Sequence, residues 1–547
     1  MRLPRIFAQR AWHSVAVAVS LAAFMASAAP SATFADTNSG DTNSSASWPM
    51  FGQNFNNTAS APGTSISTEN VSALKPKWVF TAHGDVSARA AVVNGVAYFP
   101  DWGGYLNAVN ANNGHLIWQK SILADYFGGA VPGHAGVPKV VSRTSAFVDT
   151  SSNTIYIGTQ TGAYLLAIST VTGSLKWKTQ LDNHPLAIDT SSPIDLNGVI
   201  YVGVASLEEA AAVDQSYPCC SFRGSAMALN ARTGAVIWKT YTIPSGYTGG
   251  SVWGSSLVPD PQRGVVYAAT GNNYSTPTNP AYTNCVSNGG TQASCLSPDD
   301  HFDSILALNL VDGTIKWSQR LGSSDDWNVA CFYAGNTNCP TGSGPDYDFG
   351  SGVNLFTIHT ASGPKTIIGA GQKSGVYSAF DPDNNGSLLW ATQVGPGSSL
   401  GGIEWGSATD GRRIYVAIGN FYGIPYTLQP SGQTDYAGSW SALDPATGHI
   451  LWQTADPNGA VDLGPMTVAN GVVYAPSMGA NAATTQNMFA LSGSTGRILW
   501  GFASGGSVIA GASVANDTVF WGSGYSNLGL PGYVGNNKFY AFTLGDQ

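Results

Sequence analysis

Charged side chains are scarce in this 547-residue sequence, at 10% against about 25% in typical soluble chains. Lys and Arg form no long run and the formal net charge is -9, so the electrostatic footprint of nucleic-acid binding is missing. No C-x-x-C-H occurs, which excludes haem attached in the c-type manner. The apolar run from Val15 to Ala28 has 14 residues, short of the roughly 20 that a membrane-spanning helix needs. That run fits export instead. A basic stretch, MRLPRIFAQRAWHS, precedes it, and Ala26, Ser27 and Ala28 form a small-x-small cleavage pattern. Residues 1–28 are therefore expected to be a signal peptide, with a retained anchor as the alternative, and the protein to be exported, periplasmic or secreted. Residues 29–47 are rich in Ser, Thr, Ala, Asn and Asp and are expected to form a disordered leader before a single folded domain over 48–547.

What fills the space left by charge is glycine, small polar residues and one repeated motif. ALNARTGAVIW, ending at Trp238, has full companions ending at Trp118, Trp177, Trp317, Trp390, Trp452 and Trp500. Alternating apolar residues suit a pleated strand, and the central Asp, Asn, Thr and Gly supply turn geometry, so each copy reads as a hairpin. Another strand precedes most copies, such as VIYVGV before Trp238, giving roughly four strands per unit. A lone hairpin cannot bury its own face, but stacked units with a Trp plate at a fixed place can. The sequence ends with TVFWGSG and KFYAFTL, a unit lacking its last strand, while LKPKWVF around Trp78 has that character and no hairpin before it. Joining them predicts an all-β, eight-bladed β-propeller closed by the strand around Trp78, with no exposed sheet edges at the seam. Trp spacings from 48 to 79 residues exceed the usual blade length of about 40 to 45, so loops are inserted between strands.

Six cysteines in an exported chain suggest disulfides. Cys285 with Cys295 and Cys331 with Cys339 each lie in a Gly-, Asn-, Ser- and Thr-rich insertion, which favours local pairing over cross-pairing among the six. Cys219 and Cys220 remain. Adjacent Cα atoms on a trans peptide are about 3.8 Å apart, below the usual disulfide range, so a bridge there would be strained, as functional sites sometimes are.

The Ala-to-Trp repeat with its central Gly, taken with the vicinal Cys pair, resembles the quinoprotein alcohol dehydrogenases that carry pyrroloquinoline quinone (PQQ). YPCCSFRGS, GGIEWGSATDGRRIY and PDYDFGSG are most similar to the polyvinyl alcohol dehydrogenases among them. The resemblance implies a PQQ and Ca2+ site, and it carries roles onto particular residues. In DTSSPIDLNGVIYVGVASLE, Thr190 is implied as a cofactor contact and Glu208 as a calcium ligand, with Glu209 beside it. In GGSVWGSSLVPDPQRGVVYAATGNNYS, Trp253 is implied as the plate under the quinone and Asn272 as an oxygen ligand of the cation, which suits hard calcium. The family's base follows a Trp in D-x-W-D, but DDWN here, Asp325 to Asn328, ends in an amide. PDYDFGSG supplies Asp348 as base and calcium ligand, with Asp346 its rival. Gly350 stands where lanthanide-dependent relatives carry a further Asp, which favours calcium. Lys373 in IIGAGQKSGVYSAFD occupies the position of a cation at the reactive carbonyls. Arg143 in VSRTSAF matches a carboxylate-binding Arg. Cys219 and Cys220 are implied cofactor contacts, although they stand in a later blade than in methanol dehydrogenases, and Arg223 and Trp405 are further candidates.

The activity implied is oxidation of an alcohol, with Asp348 as general base and calcium with Lys373 as electrophile. Without fused haem, electrons are expected to leave to a separate periplasmic cytochrome c. Secondary alcohols, polyvinyl alcohol included, are the implied substrates. Two alternatives stand beside this: a PQQ enzyme for sugars or small primary alcohols, and a cofactor-free propeller scaffold of the outer-membrane assembly type.

Overall fold

The computed structural model describes residues 47–132, 139–360, 363–479, 484–527 and 532–545. The expected signal peptide, and all of the leader but its final residue, lie outside the described residues. No helix among the described residues is long and apolar enough to cross a membrane.

Among the described residues, eight antiparallel blade sheets follow one another along the chain, seven of them consecutive and the eighth joining the two ends, with Ser60–Ala61 added in parallel to the seventh. In that eighth sheet Lys75–Thr81 pairs with Lys538–Thr543, and Trp78 stands opposite Ala541. The ring is thus closed as the sequence predicts. The motif's pairing explains its composition. In each copy the first Ala lies directly across from the Trp, as with Ala228 and Trp238, and a register shift follows at once. The same pair and shift recur at Ala108 with Trp118, Ala307 with Trp317 and Ala490 with Trp500. A small residue opposite the indole leaves it room to turn toward the neighbouring blade.

There it meets the motif's glycine. A Cβ on Gly234 would lie 2.5 Å from the Trp177 ring, and one on Gly313 equally close to the Trp238 ring. Both glycines have φ above +70°, which an L side chain resists. The indole N–H then donates to a carbonyl of the same neighbour, Trp238 to Leu310 at 3.1 Å and Trp177 to Ala231 at 3.0 Å. Trp500 does so to Leu74 at 3.1 Å, which seals the ring at its closing blade. Burying one such ring, about 200 Å² at ~25 cal/mol/Å², contributes about 5 kcal/mol before the entropy of ordering it.

Two features frame the centre. In a four-stranded meander, the link between second and third strands and the crossing to the next blade leave from the same end. The large insertions use that end: Pro280–Ser287 with Gln292–Cys295, and the turn Val329–Phe332. Disulfides Cys285–Cys295 and Cys331–Cys339 staple them, as expected, and Cys219–Cys220 forms the third. The other feature is a strap, residues 48–61, lying further down the inner strands. It bonds in turn to Val92, Val148, Leu355, Thr409 and Val468, five different blades, and so crosses the axis.

The contact between blades yields a paired prediction. Gly234→Ala should lower the denaturation midpoint by the equivalent of about 2 to 4 kcal/mol, combining left-handed strain with overpacking against Trp177. Gly411→Ala, at φ +76° with nothing within 4 Å of the added carbon, should lose only about 1 kcal/mol.

Candidate active site

The side chains at the axial mouth come from connections, not strands. Arg143, Thr190 and Glu404 each stand four residues ahead of an inner strand, Phe147–Asp149, Ile194–Leu196 and Ala408–Thr409. Trp253 stands five ahead of Val258–Asp260. Asn272 follows Val265–Ala269, and Lys373 follows Gly363–Gly371, both in links between second and third strands. Asp346 and Asp348 lie on the crossing into the fifth blade.

These segments meet around one ammonium. Lys373 Nζ is 2.9 Å from Asp346 Oδ1 and 3.1 Å from Asp348 Oδ2. Asp348 Oδ2 also accepts from the Trp253 indole at 2.8 Å, and its Oδ1 from the Asn272 backbone N–H at 2.6 Å. The Lys373 N–H in turn donates to the Asp348 carbonyl at 2.9 Å. Lys373 Nζ lies 5.3 Å from the centroid of the half-buried Trp253 ring, and Trp405 meets that ring edge-on at 5.1 Å. Thr190 supports the same tryptophan by donating to its carbonyl at 2.9 Å. Arg143 stacks 4.5 Å over Trp405 and donates to the Tyr525 hydroxyl, with no carboxylate partner among the described residues. Arg143, Thr190 and Trp405 line one pocket.

The charge around this group is unbalanced. Burial alone would lower the Lys373 ammonium, but Asp346, Asp348, Glu209 and Glu404 overcome it and hold it well above its ordinary range. Burial pushes both Glu209 and Glu404 up to about 7, against the pull of Lys373. Four carboxyls thus face one ammonium. Asp325, the other acid of DDWN, is occupied elsewhere: its carboxylate accepts the backbone N–H groups of Asp346 and Tyr347 at 3.0 and 2.6 Å and so shapes the segment that carries Asp348.

Glu208 and Arg223 are not brought into this group. Glu208 is fully buried and its two oxygens accept from Ser221 N, Phe222 N and the Tyr217 hydroxyl at 2.7 to 2.8 Å, with His184 at 3.5 Å. It clamps the loop after the vicinal disulfide. Its neighbour Glu209 takes the inward direction because the two open a helical turn, Glu208–Ala211, where successive side chains diverge by about 100°. Glu209 accepts no hydrogen bond from the described residues, and it feels the charges of Lys373, Asp348 and Asp325. Arg223 donates to the Ile243 carbonyl and stacks 4.1 Å over Tyr241, away from the group. Cys219 lies 3.9 Å from Asn328 Nδ2, an amide that also donates to the Tyr274 and Asn338 carbonyls, so the pair flanks the segment of Asn272. Glu209 and Glu404 were not singled out from sequence. The one available signal for Glu404 is its phase, since it shares the place ahead of an inner strand with Arg143 and Thr190.

The residues fit a cation and an anionic planar group. Asn272 is 1% exposed and its Nδ2 donates to the Asn273 and Trp327 carbonyls, yet its Oδ1 is buried with no donor. An orphaned amide oxygen beside an excess of carboxylate is what a hard cation satisfies. No group of three His, Cys, Asp or Glu side chains suited to a metal occurs among the described residues, so the donors here are mixed, amide with carboxylate. The pair Glu208 and Glu209 separates under mutation. Glu208→Gln should cost about 2 kcal/mol of stability, since it weakens hydrogen bonds to a charged group. Glu209→Gln should leave the cation-free protein as stable or more so, because it removes one of several crowded carboxyls; both effects are read as denaturation midpoints.

A family model described as outer membrane protein assembly factor BamB matches residues 75–240 and 372–528. Among curated relatives, a polyvinylalcohol dehydrogenase of Pseudomonas sp. is 31% identical over 88% of this chain and 73% of its own length. A second, from Sphingopyxis sp., is 29% identical over 71% of this chain, which spans 55% of that relative. Among solved structures, the quinohemoprotein alcohol dehydrogenase of Comamonas testosteroni superposes with a TM-score of 0.65 at 18% identity, covering 92% of this chain and 81% of that one, a likeness of fold. Sharing its blade repeat with the assembly factor, the chain belongs to the quinoprotein, PQQ-dependent alcohol dehydrogenase family.

Proposed function

We propose that this protein oxidises secondary alcohols, polyvinyl alcohol or similar hydroxylated chains among them, using bound PQQ and calcium, and passes the electrons to a separate cytochrome c outside the cytoplasm. The observation that carries the reading is the ion triad of Lys373, Asp346 and Asp348, built against Trp253 and beside the orphaned Asn272 oxygen. A scaffold has no use for a buried ammonium, crowded carboxyls and an unpaired amide oxygen at one mouth, each of which costs stability unless a ligand completes it. The two relatives named as polyvinylalcohol dehydrogenases support the polymer substrate.

In this reading Asn272 Oδ1, Asp348 and Glu209 hold the cation, Glu209 taking the role that the sequence resemblance gives Glu208. Arg143 and Thr190 line the pocket that would receive the acid groups of the cofactor, and Trp253 would offer a flat indole to its ring. When bound, the quinone accepts the two electrons of the alcohol and calcium polarises its carbonyl. Asp348 takes the hydroxyl proton onto its carboxylate. Lys373 keeps its proton and remains a fixed positive charge beside that carboxylate, where it stabilises developing negative charge without moving. The loop stapled by Cys331–Cys339 keeps bulk water from this wall: Asn336 and Asn338 donate from it to the Val213, Ala212 and Tyr217 carbonyls and close the gap beside Glu209.

The test is dye reduction by purified protein supplied with PQQ and calcium, on polyvinyl alcohol, a short secondary diol and a sugar. Calcium-dependent turnover with preference for the polymer and the diol is expected. Preference for the sugar would select the other dehydrogenase reading, and absence of both quinone binding and turnover would favour the scaffold. Asp348→Asn should reduce kcat by about 10²- to 10⁴-fold with quinone still bound; retained activity would move the base to Asp346. Glu209→Gln should weaken calcium binding, measured by titration, while Glu208→Gln leaves it near wild type.

A further inference from the structure

Next to Asn272 along the chain lies a second set of buried oxygens. The Asn273 amide donates from Nδ2 to Asp300 Oδ2 at 3.0 Å and sits against the Asp326 carboxylate, which the Thr276 hydroxyl also touches. Asn273, Asp300 and Asp326 are 0%, 1% and 5% exposed. One oxygen of each, Asn273 Oδ1, Asp300 Oδ1 and Asp326 Oδ1, is buried without a hydrogen-bond partner. A fourth orphan comes from another element: the hydroxyl of Tyr282, on helix Pro280–Ser287, is also buried and unpartnered, and it is close enough to Asp326 to feel its charge.

Two buried carboxylates need a counter-charge, and the protein supplies none in contact. No ion pair to Asp300 or Asp326 forms among the described residues. The nearest cation, Arg320, donates to the Asp300 backbone carbonyl at 3.3 Å and stacks 4.9 Å over Phe302. Burial pushes both carboxyls up to about 7, so bare ionisation is costly here. The oxygens are all hard donors, from carboxylate, amide and phenol, with no nitrogen or sulfur among them.

The geometry points to a second calcium site, formed by Asn273, Asp300, Asp326 and Tyr282 with water completing the shell, separate from the site at Asn272. Calcium accepts six to eight oxygens in irregular arrangements, and a divalent ion neutralises both carboxylates at once. Magnesium, which demands near-octahedral order, fits four donors from four separate stretches less well. The site bears on the first through the backbone. Asn273 N–H donates to the Asp325 carbonyl at 3.0 Å, and Trp327 N–H to the Asn273 carbonyl at 2.8 Å. A cation tying Asn273 to Asp326 therefore fixes the two paired segments that present Asn272 to the Lys373 group and Asp325 to the backbone of Asp346 and Tyr347. It acts as a positioning site and takes no part in proton or electron transfer.

The experiment counts calcium per chain by elemental analysis after equilibration in millimolar calcium and rapid desalting, with and without PQQ. The full-length wild type should hold one more calcium than the double variant Asp300→Asn with Asp326→Asn, whether or not PQQ is added. Asn272→Ala should leave that extra ion in place, so failure of the quinone reading and failure of this one are distinguishable. Tyr282→Phe, which keeps ring and helix, should weaken calcium binding at this site at least about threefold with unchanged circular dichroism, and it carries the test if the double variant misfolds. Equal calcium counts in wild type and double variant, or unaltered affinity in Tyr282→Phe, would overturn the assignment.

Discussion

An indole lying on the left-handed glycine of the next blade is the contact from which this architecture is built. It is directional, because the ring can reach that glycine only from across an alanine, and the N–H then fixes the approach by reaching one carbonyl. Repeated at most junctions between blades, with ring or N–H alone at the others, it turns a set of marginal hairpin sheets into a ring in which each is held on both sides. No blade is an end. The closing contact, from Trp500 to the carbonyl of Leu74, matters as much as any other, since without it two sheets would expose their faces.

A ring held in this way leaves its connections free of structural duty at one end. The side chains of the candidate site take advantage of it. Arg143, Thr190 and Glu404 occupy the same place ahead of different inner strands, so the repeat delivers unlike chemistry to one point by changing single residues. The site is then tightened by interactions outside the repeat: Asp325 holding two N–H groups of the Asp346 segment, Glu208 holding two beyond the vicinal disulfide, and the loop between Cys331 and Cys339 bonding to the carbonyls of Ala212, Val213 and Tyr217. Rigid supports beneath crowded charges are what keep carboxyls close together that would otherwise move apart.

The fold was legible because its determinant is local and repeated: Ala, Gly and Trp at constant spacing encode both hairpin and blade contact. Even the orphan strand at Trp78 is recognisable, since it keeps the phase of the others. The site was legible where a residue sits in a conspicuous frame, as with Trp253, Asn272, Asp348 and Lys373, which the structure brings together. It was not legible where direction decides. Glu208 and Glu209 are identical in type and adjacent, and only the helical turn that begins there sends one into a loop and the other toward the axis. Arg223 fails for a related reason: nothing in YPCCSFRGS tells that its guanidinium stacks on Tyr241 and not toward the pocket. Asp346, placed second from sequence, proves to share the ammonium of Lys373, at 2.9 Å, because its backbone has turned left-handed, with φ at +63°.

The strap across the lower end of the axis, residues 48–61, gives the mouth a further property. By bonding to five inner strands it makes the central channel a blind well. Whatever reaches Lys373 must enter and leave through the same opening, so a long flexible substrate cannot be threaded through the ring and processed end to end. It can only dip one segment at a time into the well and withdraw it.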